Sequence, residues 1–98
     1  MGIEITIRHT KVPSTTKKHA EGKAEALSEE FKFVEHVHVI VDHQRFKFIA
    51  EVVAQGKNTR VEATADDEAV VAAVDQAFGK AEKQLRKHRT KVKDHRPA

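Results

Sequence analysis

The 98-residue chain has no cysteine, no tryptophan and no tyrosine, one methionine, two prolines and four glycines. Without cysteine there is no disulfide, no thiolate metal site and no cysteine nucleophile, a composition that suits a reducing compartment. No apolar run is long enough to span a bilayer, so a membrane partner is not expected. The opening "MGIEITIRHT" lacks a basic segment followed by a long apolar stretch, and its glycine-led start matches a lipidation signal only at Thr6. A cytoplasmic location is expected. The only serines, Ser14 and Ser28, sit outside any nucleophile-elbow context, and no glycine-rich phosphate loop is present. No two carboxylates are set apart as acid and base. No catalytic residue and no cofactor are therefore assigned, and an enzyme is not expected.

What the chain does have is charge: 34% of residues are Asp, Glu, Lys or Arg, against 39% hydrophobic, with a net charge of +3. That balance describes a polar globule with room for one domain. The charge is unevenly placed. Residues 80 to 98 hold eight basic and two acidic groups, whereas residues 1 to 79 hold ten basic and thirteen acidic groups. Positive potential is thus concentrated at one end of the chain, and a polyanion becomes the leading partner.

In "IEITIRH", Ile3, Ile5 and Ile7 alternate with Glu4, Thr6 and Arg8, the pattern of a half-buried strand. Pro13 stops it and Ser14 is placed to cap a helix, over which Ala20, Ala24, Leu27 and Phe31 recur at helical spacing. A helix from Ser14 to Phe31 is predicted. "VEHVHVIVDHQ" sets Val37, Val39 and Val41 on one strand face and His36, His38, Ile40 and Asp42 on the other. "RFKFIAEVVAQ" and "RVEATA", separated by Gly56-Lys57-Asn58-Thr59, read as a hairpin. From about Asp67 a helical stripe takes over through Val70, Val74, Ala77, Phe78, Ala81, Leu85 and Val92, with Asp66, Asp67 and Glu68 at its start and the basic cluster at its end, as the helix dipole favours. The predicted class is α+β in the order β-α-β-β-β-α, a four-stranded mixed sheet with both helices on one face and the first two strands parallel.

On a helix turning about 100° per residue, Lys80, Lys83, Lys87 and Lys91 fall within about 80° of one another and clear of the apolar stripe. Asp75 and Glu82 project elsewhere, together with Arg86 and Lys93, so acids on the same helix do not neutralise the row. It extends over about 16 Å, enough to follow several phosphates. The competing reading is a solvated terminal run. Five phenylalanines, most at core-like positions, leave no obvious platform for stacking bases, and neither an RNP signature nor zinc-finger spacing is present. Recognition is expected through backbone and shape. A second reading uses the outer sheet face, where His36 and His38 project together, as a protein-interaction or metal-responsive module. Zinc would need further ligands from His43, Asp42 or Glu51, and no metal site is assigned.

The segments "ITIRHTKV", "EGKAEALSEEF" (with Lys23, Leu27 and Phe31 in register), "VHVIVDHQ" and above all "AAVDQAFGKAEKQLRKHRTKVKDH" resemble the short ribosome hibernation-promoting factors, or ribosome-associated inhibitors, of the sigma-54 modulation protein family. The resemblance covers almost the whole chain. It implies a fold similar to double-stranded-RNA-binding domains. It also implies a ribosome-binding translation inhibitor that occupies the mRNA and tRNA channel of the small subunit through phosphate contacts to rRNA. The rRNA-binding positions it implies are Lys17 and Lys23 on the first helix, then Lys80, Lys83, Lys87, Arg89 and Lys91 on the second. Arg86, basic where relatives vary, is added to them. The chain departs from the family at Val71, where an aromatic is usual, and at Ala26, where a basic residue is common. Residues 1–92 are expected to form one ribosome-binding domain, monomeric when free, with 93–98 a short basic tail. A carboxyl-terminal dimerisation domain is not expected, so pairing of ribosomes would need another factor.

Overall fold

The computed structural model describes residues 2–94, with side chains described through residue 88. Its elements run β1 (Gly2–Ile7), α1 (Ser14–Glu30), β2 (Val34–Gln44), β3 (Lys47–Gly56), β4 (Thr59–Asp67) and α2 (Val70–Asp94). The sheet order is β1-β2-β3-β4, with β1 and β2 parallel and the remaining pairs antiparallel. The predicted α+β class and element order are those observed.

Register explains why the helices share a face. Ile5, Val39, Val52 and Ala63 stand in one row across the four strands, flanked by the rows Ile3-Val37-Ala54-Val61 and Ile7-Val41-Ala50-Ala65. Since side chains alternate along a strand, all twelve point to one side. Alanines dominate the β3 and β4 end of these rows, and α2 offers buried Ala73, Ala77 and Ala81 to the same core. Small residues on both partners let α2 lie close to the sheet. α1 packs over β1 and β2, where Leu27 and Phe31 supply bulk; each such fully buried side chain contributes about 1.5–3 kcal/mol.

Three local expectations are corrected. Ser14 is the first helical residue and not the cap; Pro13 occupies the cap position and no side chain caps α1. Proline supplies no hydroxyl, but its carbonyl accepts the first N–H groups, those of Thr16 at 3.0 Å and Lys17 at 3.2 Å. Asp66 and Asp67 end β4 and do not open α2, although Asp67 Oδ1 accepts the Ala69 N–H at 3.0 Å just before it. Arg45 and Phe46, read as the start of β3, form the two-residue turn between β2 and β3, with Gln44 paired to Lys47. Arg45 has φ 55°, as tight hairpin turns require, even though its side chain disfavours it.

At the opposite end, the Cβ that Gly56 lacks would sit 2.0 Å from the Phe33 carbonyl oxygen, beside the irregular register at Val34/His36. Phe33 stacks edge-on against Phe31 (centroids 5.9 Å apart) and tilts against His88 (5.2 Å), closing that end of the core.

Candidate nucleic-acid interface

β4 is an edge strand, and α2 covers its free edge with polar side chains four residues apart. Gln76 Nε2 donates to Asp67 Oδ2 at 2.9 Å, and Lys80 Nζ to the Thr64 carbonyl at 2.9 Å. Further along, Gln84 Nε2 donates to the Glu62 carbonyl at 3.3 Å, and His88 Nε2 shares a hydrogen bond with Thr59 Oγ1 at 2.6 Å. The i, i+4 spacing aligns them on one side of the helix, and their partners descend along an antiparallel strand. Unpaired edge carbonyls are thereby satisfied and denied to another chain. The Ala69 N–H and then the Gln76 amide hold the Asp67 carboxyl below its usual pKa of 3.8.

The other flank of α2 faces α1, and the two helices run parallel. His19 Nε2 is bonded to Asp75 Oδ1 at 2.6 Å, with Lys23 Nζ 3.9 Å from the same oxygen. Further along, Arg86 reaches Glu30 at 3.7 Å and pairs with Glu82 one turn back on its own helix. Arg86 is thus held between two carboxylates, and Lys23 shares an acid with His19. Ala26 lies in the same groove, among Lys23, Glu30, Asp75 and Glu82.

Between these flanks α2 presents Lys83 and Lys87, both exposed and one turn apart. Neither makes an ion pair or side-chain hydrogen bond with a described residue. Lys87 borders a shallow hollow with Val61, Gln84 and His88. Of the residues named from the sequence, the structure brings Lys80, Lys83 and Lys87 together. Lys17 lies apart, beside Ile7, Thr10, Lys11 and Val12 at the start of α1. Since His19 stands opposite Asp75, Lys17 is set back from Lys83 by about 15 Å along the helix axis. Arg89 and Lys91 lie on the α2 backbone, but their side chains fall outside the described residues.

The outer sheet face is acidic and histidine-bearing. His38 Nε2 is 2.8 Å from Thr6 Oγ1, and Glu4 lies 3.9 Å from both His36 and His38. Among the described residues no group of three His, Asp or Glu is placed to hold a metal ion. At the sheet end, the His9 ring (2.8 Å) and the His43 N–H (2.7 Å) both bond Asp42 Oδ1 and hold that carboxyl below its usual pKa. One residue escaped the sequence reading: Phe46, 81% exposed in the β2–β3 turn. Its charged neighbours in "QRFK" were the available signal.

The fold, a four-stranded sheet with two parallel helices on one face, has known counterparts. A model of the sigma 54 modulation protein / S30EA ribosomal protein family matches residues 3–93. The chain belongs to that family. Among solved structures it is similar to a ribosomal subunit interface protein from Coxiella burnetii, with TM-score 0.84 and 20% identity over 92% of this chain and 99% of that one. It is also similar to the Protein Y N-terminal domain of Thermus thermophilus, with TM-score 0.78 and 21% identity over 90% of this chain and 99% of that one. At such identities the likeness is one of fold. No curated protein matches the chain. Among the described residues of this S30EA family member, no helix is long and apolar enough to cross a membrane.

Proposed function

We propose that the protein is a non-enzymatic inhibitor of translation that binds the small ribosomal subunit, occupies the channel used by mRNA and tRNA, and so holds idle ribosomes inactive. Residues 1–92 act as one unit, monomeric when free in the cytoplasm. The observation that carries this reading is the Lys83–Lys87 pair, exposed and without an acid partner among the described residues, on a helix whose other described cations are tied to Thr64, Glu30 and Glu82. Two ammonium groups about 6 Å apart along a helix suit successive phosphates of structured RNA. Membership of a family named for ribosomal proteins makes rRNA the fitting polyanion. Lys80 adds charge beside the pair, Arg89 and Lys91 continue it along α2, and Lys17 and Lys23 supply outlying contacts.

The experiment is competition. Purified small subunits are saturated with the protein and then offered mRNA and tRNA. Both are expected to be excluded in proportion to occupancy. Undiminished binding of both with the protein still attached overturns channel occlusion.

A further inference from the structure

We infer that the β2–β3 turn is a second RNA contact, in which Phe46 stacks on an unpaired base while Arg45 engages a neighbouring phosphate. Phe46 is 81% exposed, whereas Phe31 and Phe78 are buried and Phe33 and Phe48 pack against the core. At that exposure the Phe46 ring adds little to the core, and its face is open to a partner. Phe46 sits in the β2–β3 turn, flanked by Arg45 and Lys47, and lines with them an open hollow of about 450 Å³ together with Gln44, Ile49 and Asp66. Lys47 pairs with Asp66 at 3.6 Å, but Arg45 makes no ion pair with a described residue. Arg45 also holds φ 55°, a left-handed conformation that glycine or asparagine normally fills and that costs an arginine stability. Such strain is often retained where it positions side chains for a partner.

The surroundings favour a nucleic acid. β1 and β2 are parallel, so Lys11, just beyond β1, and Lys17, in the first turn of α1 beside it, stand at the sheet end from which this turn projects. Neither makes an ion pair with a described residue. Asp66, the acid lining the hollow, is paired with Lys47, which leaves an aromatic face beside an unpaired arginine, the pairing that binds single-stranded bases and their phosphates together. The site is far from the Lys83–Lys87 pair: β4 ends beside Phe48, α2 starts there, and the lysines lie more than three helical turns further on. The two contacts would grip separate stretches of RNA. This inference rests on the proposed small-subunit partner.

The test measures affinity of the full chain for purified small subunits, using Phe46→Ala, Phe46→Leu, Phe46→Tyr and the double variant Lys83→Glu/Lys87→Glu. Position 46 is exposed, so melting temperatures are expected to stay at the wild-type value. Base–aromatic stacking sets the expected loss for Phe46→Ala at roughly 5- to 150-fold, with Phe46→Leu close behind and Phe46→Tyr within about twofold of wild type. Chemical probing of the rRNA should then find a base protected by wild type and exposed with Phe46→Ala. Wild-type affinity in Phe46→Ala overturns the inference, and full affinity in Phe46→Leu overturns it in favour of an apolar pocket on a ribosomal protein. If Lys83→Glu/Lys87→Glu loses binding while Phe46→Ala does not, the proposed function stands and this contact falls. If the wild type does not bind small subunits, both fall.

Discussion

Lys80 Nζ lies 2.9 Å from the carbonyl oxygen of Thr64, so a lysine that belongs by helical angle to a continuous basic face is engaged with the edge of the sheet. The bond is exposed, and its net contribution to stability is about 0.5–1.5 kcal/mol at most. Replacement by glutamine removes the charge and keeps an N–H donor one bond shorter, as Gln84 offers to the Glu62 carbonyl on the same flank. Lys80→Gln is expected to melt within a degree or two of wild type, and Lys80→Ala measurably lower, by thermal denaturation. In binding, Lys80→Gln should reduce affinity for the small subunit less than the same change at Lys83 or Lys87. Equal losses at the three positions would show that Lys80 leaves Thr64 to meet phosphate.

Arg86 is basic by sequence and neutralised by structure. With Glu30 and Glu82 on either side, its guanidinium adds little to the outward field. Arg86→Gln is expected to change small-subunit affinity less than twofold and to cost less than about 1 kcal/mol of stability, as exposed ion pairs do. Sedimentation and thermal melting check the two halves separately.

Gly56 is fixed by its neighbour's backbone. A Cβ 2.0 Å from the Phe33 oxygen cannot be relieved by turning a side chain; the β3 end must move away from the start of β2. Gly56→Ala is expected to destabilise by about 1–3 kcal/mol or more, in the range of overpacked sites. Gly22→Ala, which meets nothing within 4 Å on α1, should stabilise by up to about 1 kcal/mol through helix propensity. Opposite signs in denaturant melts are the expected result.

The Asp67 carboxyl receives the Ala69 N–H and the Gln76 amide, and its pKa is lowered from 3.8. A group whose pKa is lower folded than unfolded contributes stability that is fully present above the unfolded value and is lost as pH falls through the folded one. Wild type is therefore expected to be more stable than Asp67→Ala from neutral pH down to about pH 4–5, with the gap narrowing on further acidification. Melting temperature against pH for the two proteins measures this. A gap that widens in acid contradicts the assignment.

Much of the fold was legible because its signals are local. Val37, Val39 and Val41 alternate with His38, Ile40 and Asp42 in β2, and the three valines are buried as that spacing requires. The α2 stripe through Val74, Ala77, Phe78, Ala81 and Leu85 is buried as its spacing requires. The turn at Arg45-Phe46 was missed because arginine and phenylalanine carry no turn chemistry; the pairing of Gln44 with Lys47 imposes it. The candidate site was half legible. Helical angles grouped Lys80, Lys83 and Lys87, but Glu30 is fifty-six positions from Arg86, and no periodicity links them. That Lys80 lies against Thr64 depends on β4 being an edge strand, a property of topology and not of either segment.

The most direct test of the proposed function is the salt dependence of affinity for purified small subunits, compared between wild type and Lys83→Gln/Lys87→Gln. Each phosphate neutralised by a lysine contributes roughly 0.7–0.9 to the slope of log affinity against log salt. The double variant is expected to bind more weakly with a slope smaller by about 1.4–1.8. An unchanged slope and affinity would contradict the assignment of these two lysines to rRNA phosphates.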